Sequence, residues 1–259
     1  MTIGGSPWKP EQYERFRDER SQPFYDLLEM VQPAPGGRVV DLGCGTGELT
    51  RALHQASQAG TTIGLDSSET MLAKSASFVG SGLHFETGSI AHFAPAEPFD
   101  IVFSNAALQW VDGHDALFPR LADAVAPGGQ LAVQMPANND FPSHVVAFEV
   151  AAEEPFRTAL DGYARDWPVQ APEWYATLLD HLGFREQQVV MHVYGHHLPS
   201  RDGVIEWVKG TLLTDYERRM SAELYQVFLV RYRERLFEVL EDRKPFFYPF
   251  KRILIWARK

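Results

Sequence analysis

The chain has 259 residues, of which 45% are hydrophobic and 22% charged, so it can form one large α/β domain and is not a disordered or coiled-coil protein. Its formal net charge of −10 repels a phosphate backbone, so no nucleic-acid partner is expected. A single cysteine excludes an internal disulfide framework. We expect a cytoplasmic protein with neither a signal peptide nor a membrane span.

The predicted elements alternate between strands and helices. A helix over residues 10–31 is followed by a strand at 38–42, a glycine turn and a helix at 48–59. The pattern continues with strands at 61–65, 83–86, 99–104 and 129–135 and helices at 68–77 and 115–125. Such alternation implies parallel strands joined by right-handed crossovers. We therefore predict an α/β fold with a doubly wound, mostly parallel, Rossmann-like sheet.

This alternation stops after Pro136. Two later segments predict helical insertions, whereas a helix at 172–182, a strand at 187–197 and a last strand at 252–257 continue the sheet. We interpret the insertions as a cap. The predicted organisation is a helical lid at 1–34, a ligand-binding core at 35–136, a first cap insertion at 137–171, further core at 172–199, a second helical cap insertion at 200–245 and a final core strand at 246–259.

A glycine-rich turn follows the first strand, in the segment D-L-G-C-G-T-G from Asp41 to Gly47. Glycines at such a turn let a ligand approach backbone N–H groups. The third glycine comes two residues after the second, unlike the dinucleotide fingerprint, and no Gly-Lys-Ser/Thr follows to make a P-loop. Asp66 follows the second strand, 23 residues beyond Gly43, near the spacing at which an acid accepts ribose hydroxyls. Its alternative role is to cap the next helix.

These residues, together with G-L-D at Gly64 to Asp66, resemble the class I S-adenosylmethionine-dependent methyltransferases. The resemblance implies a sheet of the class I methyltransferase type, with S-adenosylmethionine as cofactor and S-adenosylhomocysteine as product. It implies that Gly43 to Gly45 contact the amino-acid end of the cofactor, that Asp66 holds the ribose and that Met71 flanks the adenine. The cofactor-binding residues implied are Asp41, Gly43, Cys44, Gly45, Asp66, Ser67, Met71, Ser89, Ile90 and Asn105.

Motifs along the rest of the chain are similar to the trans-aconitate 2-methyltransferase family. They include S-N-A-A-L-Q-W-V from Ser104, L-A-V-Q-M-P-A-N from Leu131 and W-V-K-G-T from Trp207. This resemblance implies methyl transfer to a carboxylate oxygen of trans-aconitate or a related small acid. Two departures concern the acceptor, since Gln22 and the pair Thr214-Asp215 stand where the family has arginines. Both departures make the site less cationic and weaken the prediction of a tricarboxylate.

The acceptor site is expected to combine cations, aromatic rings and amides. An ionised carboxylate, with a reference pKa near ~4, needs no general base, whereas a hydroxyl acceptor requires one, with His144, His196 and His197 as candidates. Arg231 and Lys209 are further candidates for holding a carboxylate, their alternative being surface ion pairs. The predicted substrate-binding residues are Tyr13, Arg20, Gln109, Trp110, His144, Trp207, Tyr232 and Arg252.

Other functions stay open at this stage. A second methyltransferase hypothesis has a natural-product hydroxyl or an acyl-chain acid as acceptor. A nicotinamide oxidoreductase uses a similar glycine turn and acid, and a cofactor-binding protein without catalysis is the remaining case. The nine histidines show no metal-ligand spacing, so no metal is predicted. The expected partner is a small molecule, and a monomer is favoured.

Overall fold

The computed structural model describes residues 17–163 and 167–259, and side chains from Ser21 onward. Within these residues a seven-stranded sheet has the order β3-β2-β1-β4-β5-β7-β6. Strands β1 to β5 pair in parallel and β7 is antiparallel to β5, as expected for a doubly wound, mostly parallel sheet. The strands are β1 (Arg38–Leu42), β2 (Thr61–Asp66), β3 (Leu83–Thr87), β4 (Phe99–Asn105), β5 (Val125–Pro136), β6 (Glu186–Leu198) and β7 (Phe246–Arg258).

The helices fall close to the predicted positions. Short 3₁₀ turns at Ala76–Phe78, Ile90–His92 and Leu108–Trp110 complete the connections. The helices are α1 (Arg17–Met30), α2 (Glu48–Ser57), α3 (Glu69–Ser75), α4 (His114–Asp123), α5 (Pro142–Ala151), α6 (Phe156–Ala159), α7 (Pro172–His181), α8 (Asp202–Lys209), α9 (Thr214–Arg219) and α10 (Ala222–Val239).

The chain divides into two compact units, of which the sheet unit holds residues 21–136, 168–192 and 251–259. Its core contains the fully buried Phe24 and Leu27 of α1, which pack with Val39, Ile101 and Phe103 of the central strands. Burying such side chains stabilises the fold by about 1.5–3 kcal/mol each. Most of α1 therefore belongs to the sheet unit, whereas the predicted domain boundary grouped residues 1–34 as a lid, and that lid role stays a prediction.

The second unit is helical and holds the described residues of 17–20, 137–167 and 193–250. Its core is rich in aromatic side chains, including the fully buried Tyr216, Phe228, Tyr232 and Tyr248. The two predicted insertions thus fall within one unit, and the second extends beyond its predicted limits of 200–245.

Two strands are longer than predicted. Strand β5 begins at Val125 because a register shift opposite Phe99–Ile101 accommodates the Pro127-Gly128-Gly129 turn within it. Strand β7 begins at Phe246, since every second residue from there packs into the core of the helical unit.

Candidate active site

The glycine loop after β1 lies against the loop after β4. Gly43 has a φ of +83°, and a Cβ placed on it lies 2.2 Å from the Cβ of Ala107. A side chain is therefore excluded by contact as well as by conformation. The Gly43 N–H donates to the Leu65 carbonyl at 2.7 Å, which joins the loop to the end of β2. The ends of β1, β2 and β4 thus meet at one edge of the sheet, where doubly wound folds bind ligands.

Asp66 connects the end of β2 to this loop. Its Oδ2 accepts from the Gly45 N–H and its Oδ1 from the Ser68 N–H, both at 2.8 Å. The cap of α3 is Ser68, whose hydroxyl accepts from the Met71 N–H at 3.4 Å. Each oxygen of Asp66 keeps a lone pair for a further donor, which suits a ribose diol.

Apolar side chains flank the loop. The Met71 Cε lies 3.4 Å from the Cβ position of Gly45, and the Ile90 Cδ1 lies 3.6 Å from that of Gly43. Ser67 and Ser89 are exposed, and Asn105 is partly buried at the end of β4. A cradle that a Cβ would fill, a carboxylate beside it and two apolar flanks fit the amino-acid, ribose and adenine parts of S-adenosylmethionine.

Two ionisable groups under the loop are buried. Asp41 accepts a hydrogen bond from the Thr50 hydroxyl at 2.6 Å, and burial, opposed by this bond and reinforced by Asp66, raises the Asp41 pKa to about 7. Burial, with the charges of Asp41 and Asp66, raises the pKa of the Cys44 thiol far above its ordinary value. A protonated, buried thiol packs as a small apolar group.

Amide side chains gather where β4 and β5 end. Asn105 pairs with Gln134 across the two strands, and the Ala106 N–H donates to the Gln134 carbonyl at 2.9 Å. The buried Gln109 side chain donates from Nε2 to the Ala106 carbonyl at 2.7 Å. Gln134 is absent from the predicted site, although a glutamine within the apolar run L-A-V-Q-M is a signal for it.

A buried relay holds the Leu108–Trp110 turn. The Leu108 carbonyl accepts from His114 Nε2 at 3.0 Å, so His114 Nδ1 is free to accept from the Tyr175 hydroxyl at 2.6 Å. Burial lowers the pKa of His114, which keeps the ring neutral. The relay therefore fixes the turn that carries Gln109 and Trp110, and neither His114 nor Tyr175 was predicted.

The helical unit brings together three predicted residues around Ser143. The Tyr232 hydroxyl donates to the Ser143 carbonyl at 2.8 Å, and the Ser143 hydroxyl lies 3.1 Å from His144 Nδ1. Trp207 packs edge-on against Tyr248, whose hydroxyl is 3.4 Å from that of Ser143. His144, Trp207 and Tyr232 are all buried.

The predicted cations differ in their surroundings. Arg231 pairs with Glu153 at 2.7 Å and Lys209 with Glu206 at 2.7 Å, so both fulfil the ion-pair alternative. Arg252 is buried at 4% exposure, on β7 opposite Pro136. Tyr13 and the side chain of Arg20 lie outside the described residues.

The described residues hold neither a metal-ligand cluster nor a helix suited to a membrane. They contain no group of three or more His, Cys, Asp or Glu side chains arranged to hold a metal ion. Among them, no helix combines the length and the apolar character that crossing a bilayer requires.

Comparisons with known proteins extend this picture. Residues 39–129 match the family model described as a methyltransferase domain. The chain is 42% identical to the trans-aconitate 2-methyltransferase of Deinococcus radiodurans, over 97% of this chain and 98% of that one. It is 38% identical to the enzyme of the same name from Streptomyces avermitilis, over 97% of each chain.

Solved structures share the fold. The YcgJ protein of Bacillus subtilis aligns with a TM-score of 0.61 at 14% identity, over 92% of this chain and 98% of that one. A phosphoethanolamine N-methyltransferase 2 from Haemonchus contortus, solved with S-adenosyl-L-methionine, aligns with a TM-score of 0.54 at 20% identity, over 92% of this chain and 52% of that one.

The sequence prediction of a class I methyltransferase is confirmed, and the nicotinamide oxidoreductase and non-catalytic alternatives are set aside. The cofactor is S-adenosylmethionine. Similarity at this level runs through the glycine loop, the strand edge and the helical unit alike. The chain belongs to the trans-aconitate 2-methyltransferase family of S-adenosylmethionine-dependent methyltransferases.

Proposed function

We propose that the chain transfers the methyl group of S-adenosylmethionine to a carboxylate oxygen of trans-aconitate. The observation that carries the proposal is the extent of the similarity. The methyltransferase domain model covers residues 39–129, whereas identity to enzymes named trans-aconitate 2-methyltransferase covers 97% of the chain. The similarity therefore includes the segments outside the cofactor loop, which differ between enzymes with different acceptors.

The sheet unit supplies the residues for the cofactor. S-adenosylmethionine, when bound, supplies an electrophilic methyl group on a sulfonium. The loop of Gly43 to Gly45 exposes backbone to the amino-acid end, Asp66 accepts from the ribose, and Met71 and Ile90 cover the adenine. Asp41, at the end of β1, and Cys44, within the loop, have buried side chains. Ser67 and Ser89 come just after β2 and β3, and Asn105 ends β4. Their task is to orient the methyl group for an in-line attack.

The acceptor requires orientation more than proton transfer. A carboxylate is ionised at neutral pH and attacks without a general base. In the sheet unit His114 is already bonded on both ring nitrogens, which agrees with transfer that moves no proton. Gln109, Trp110 and Arg252 of the sheet unit are our candidates for binding the acid. The substrate-binding roles of His144, Trp207 and Tyr232, which lie in the helical unit, stay predictions.

The residues at the positions where the family has arginines form hydrogen bonds or ion pairs with residues nearby in the sequence. Gln22 donates to Asp26 at 2.7 Å, Thr214 donates to the Thr211 carbonyl at 2.6 Å, and Asp215 pairs with Arg218. We therefore infer that another cation binds the negatively charged acid, and the buried Arg252 is our candidate for that cation. A cytoplasmic location and a monomeric state stay predictions.

A methyl-transfer panel tests the proposal. The full chain is incubated with S-adenosylmethionine carrying a radiolabelled methyl group and with trans-aconitate, other di- and tricarboxylic acids, acyl-chain acids or hydroxylated aromatics. We expect the highest kcat/KM with trans-aconitate and a base-labile methyl ester as product. Transfer confined to hydroxylated aromatics contradicts the proposal, and transfer confined to acyl-chain acids retains the carboxylate but contradicts trans-aconitate.

A further inference from the structure

Four buried polar atoms without a hydrogen-bond partner lie where β4 and β5 end, within the part of the chain that the structure describes. They are the Oδ1 of Asn105, the Oε1 of Gln109, and both the Oε1 and the Nε2 of Gln134. Gln134 is fully buried and Gln109 is 5% exposed. A buried polar atom without a partner destabilises the folded chain, so a cluster of them indicates a place where a ligand completes the bonding.

A second glutamine on the same strand shows how a purely structural amide is bonded. Gln130, four residues before Gln134, accepts at Oε1 from the Gln32 N–H at 2.8 Å and from the Trp256 indole at 2.9 Å. Its Nε2 donates to the Gln32 carbonyl at 2.9 Å. Both residues lie on one face of β5, since side chains alternate along a strand. Gln130 is thus satisfied by protein groups, and Gln134 is not.

The position of Gln134 points to the acceptor. Asn105 is its partner on β4 and Leu254 its partner on β7, while Arg252 pairs with Pro136 two residues nearer the end of β5. Residues that are paired, or two apart along a strand, share a sheet face. The amides of Asn105 and Gln134 and the buried guanidinium of Arg252 therefore belong to the same face, at the edge that also carries the glycine loop.

We propose that Gln134 is an acceptor-binding residue, whose Nε2–H holds one oxygen of the carboxylate that receives the methyl group. The inference rests on the proposed function and adds a residue to it. A carboxylate accepts hydrogen bonds and has none to donate. Of the two unpartnered side-chain atoms of Gln134, only Nε2 can therefore bond the carboxylate.

At position 134, a single amide donor suits this reaction better than a guanidinium in addition to that of Arg252. An arginine fork engages both oxygens of a carboxylate, whereas one N–H holds one oxygen and leaves the other as nucleophile. The free oxygen forms the new O–C bond while the bond between the methyl carbon and sulfur breaks, and the electron pair of that bond stays on sulfur. The products are a methyl ester and S-adenosylhomocysteine, and no proton is transferred.

Two matched variants of the full chain test the inference, Gln134→Met and Gln130→Met. For Gln134→Met we expect kcat/KM for trans-aconitate to fall at least tenfold. The Kd for S-adenosylmethionine, measured by calorimetry, stays within threefold, and the Tm is unchanged or higher because an unpartnered amide has been removed. For Gln130→Met we expect a lower Tm, since three hydrogen bonds are lost, with kcat/KM within threefold of the wild type.

Other outcomes overturn the inference. An unchanged kcat/KM in Gln134→Met means that a buried water alone satisfies the amide. A loss of cofactor affinity as large as the loss in kcat/KM assigns the residue to the cofactor site instead. Should Gln134→Met fail to fold, the isosteric Gln134→Glu replaces it, with an expected loss of at least a hundredfold in kcat/KM at an unchanged Kd for the cofactor. A wild-type chain that methylates hydroxyl compounds and no acid overturns the proposed function instead.

Discussion

Asp66 and Gly45 are joined by a hydrogen bond of 2.8 Å, from the glycine N–H to the aspartate Oδ2, that ties the end of β2 to the glycine loop. The same carboxylate is the one assigned to the ribose, so it has a structural and a binding task.

Replacing Asp66 by alanine is expected to weaken S-adenosylmethionine binding at least tenfold, because the ribose hydroxyls lose a charged acceptor. Calorimetry measures the Kd. Asp66→Asn is the control, since its amide oxygen still accepts from one backbone N–H. We expect its Kd for S-adenosylmethionine to lie between those of the wild type and Asp66→Ala. Unchanged affinity in Asp66→Ala restricts the residue to its bonds with Gly45 and Ser68.

Gly43→Ala is expected to lower both the Tm and cofactor affinity, the latter more than tenfold. The new Cβ has to occupy a position 2.2 Å from the Cβ of Ala107, at a φ of +83°. Gly128→Ala is the matched control, because Gly128 has a φ of +77° but open space around its Cβ position. Equal losses in the two variants assign the effect to backbone conformation rather than to contact.

The buried Asp41 predicts a pH dependence of stability without cofactor. Its pKa is about 7 in the folded chain against an ordinary 3.8, so the folded state holds the proton more tightly. This contribution to stability is complete below pH 3.8 and is lost as the pH rises through 7, by about 4 kcal/mol at most.

Asp41→Asn is uncharged and keeps an oxygen for the Thr50 hydroxyl. We expect its Tm to exceed that of the wild type at pH 8.5 and the difference to shrink towards pH 5, as measured by differential scanning fluorimetry. If the Tm of the two proteins changes with pH in parallel, the raised pKa of Asp41 is not the cause of the pH dependence.

Tyr175→Phe tests the relay beneath the Leu108–Trp110 turn. The change removes the hydroxyl that lies 2.6 Å from His114 and accepts from the Gln170 N–H at 3.0 Å. We expect a loss of about 1–3 kcal/mol in unfolding free energy and a higher KM for the acceptor, because the turn carries Gln109 and Trp110. Denaturant unfolding and initial rates measure the two effects. An unchanged KM limits the relay to stability.

Arg231 and Arg252 are expected to respond differently to replacement by methionine. Arg231 forms a partly exposed pair with Glu153, so Arg231→Met should alter stability by less than about 1 kcal/mol and KM by less than twofold. Arg252 is buried at the strand edge, and Arg252→Met should raise the KM for trans-aconitate at least tenfold. Similar KM values in the two variants remove Arg252 from the acceptor site.

The sheet could be predicted from the sequence because its signals are local. The glycines after β1 and the acid after β2 lie next to apolar runs, and parallel strands bring their ends together. Strand boundaries were less accurate. The start of β5 depends on a register shift opposite Phe99–Ile101, and the Pro-Gly-Gly sequence by itself indicates a turn.

The acceptor side was harder to predict because its evidence is long-range. Gln130 and Gln134 look alike in sequence, and only the contacts of Gln130 with Gln32 and Trp256 separate them. In the same way, the pair of Arg231 with Glu153 joins residues 78 positions apart, so the sequence alone does not reveal it. The role of a polar side chain is set by partners about a hundred residues away.

The burial of Cys44 beneath the glycine loop makes it a natural reporter. It is the one thiol in the sequence, and its burial and raised pKa keep it protonated and unreactive in the folded chain. Modification by a thiol-specific dye therefore measures how often this part of the molecule opens. Labelling should slow in proportion to cofactor occupancy, which gives a fluorescence assay of ligand binding without any engineered label site.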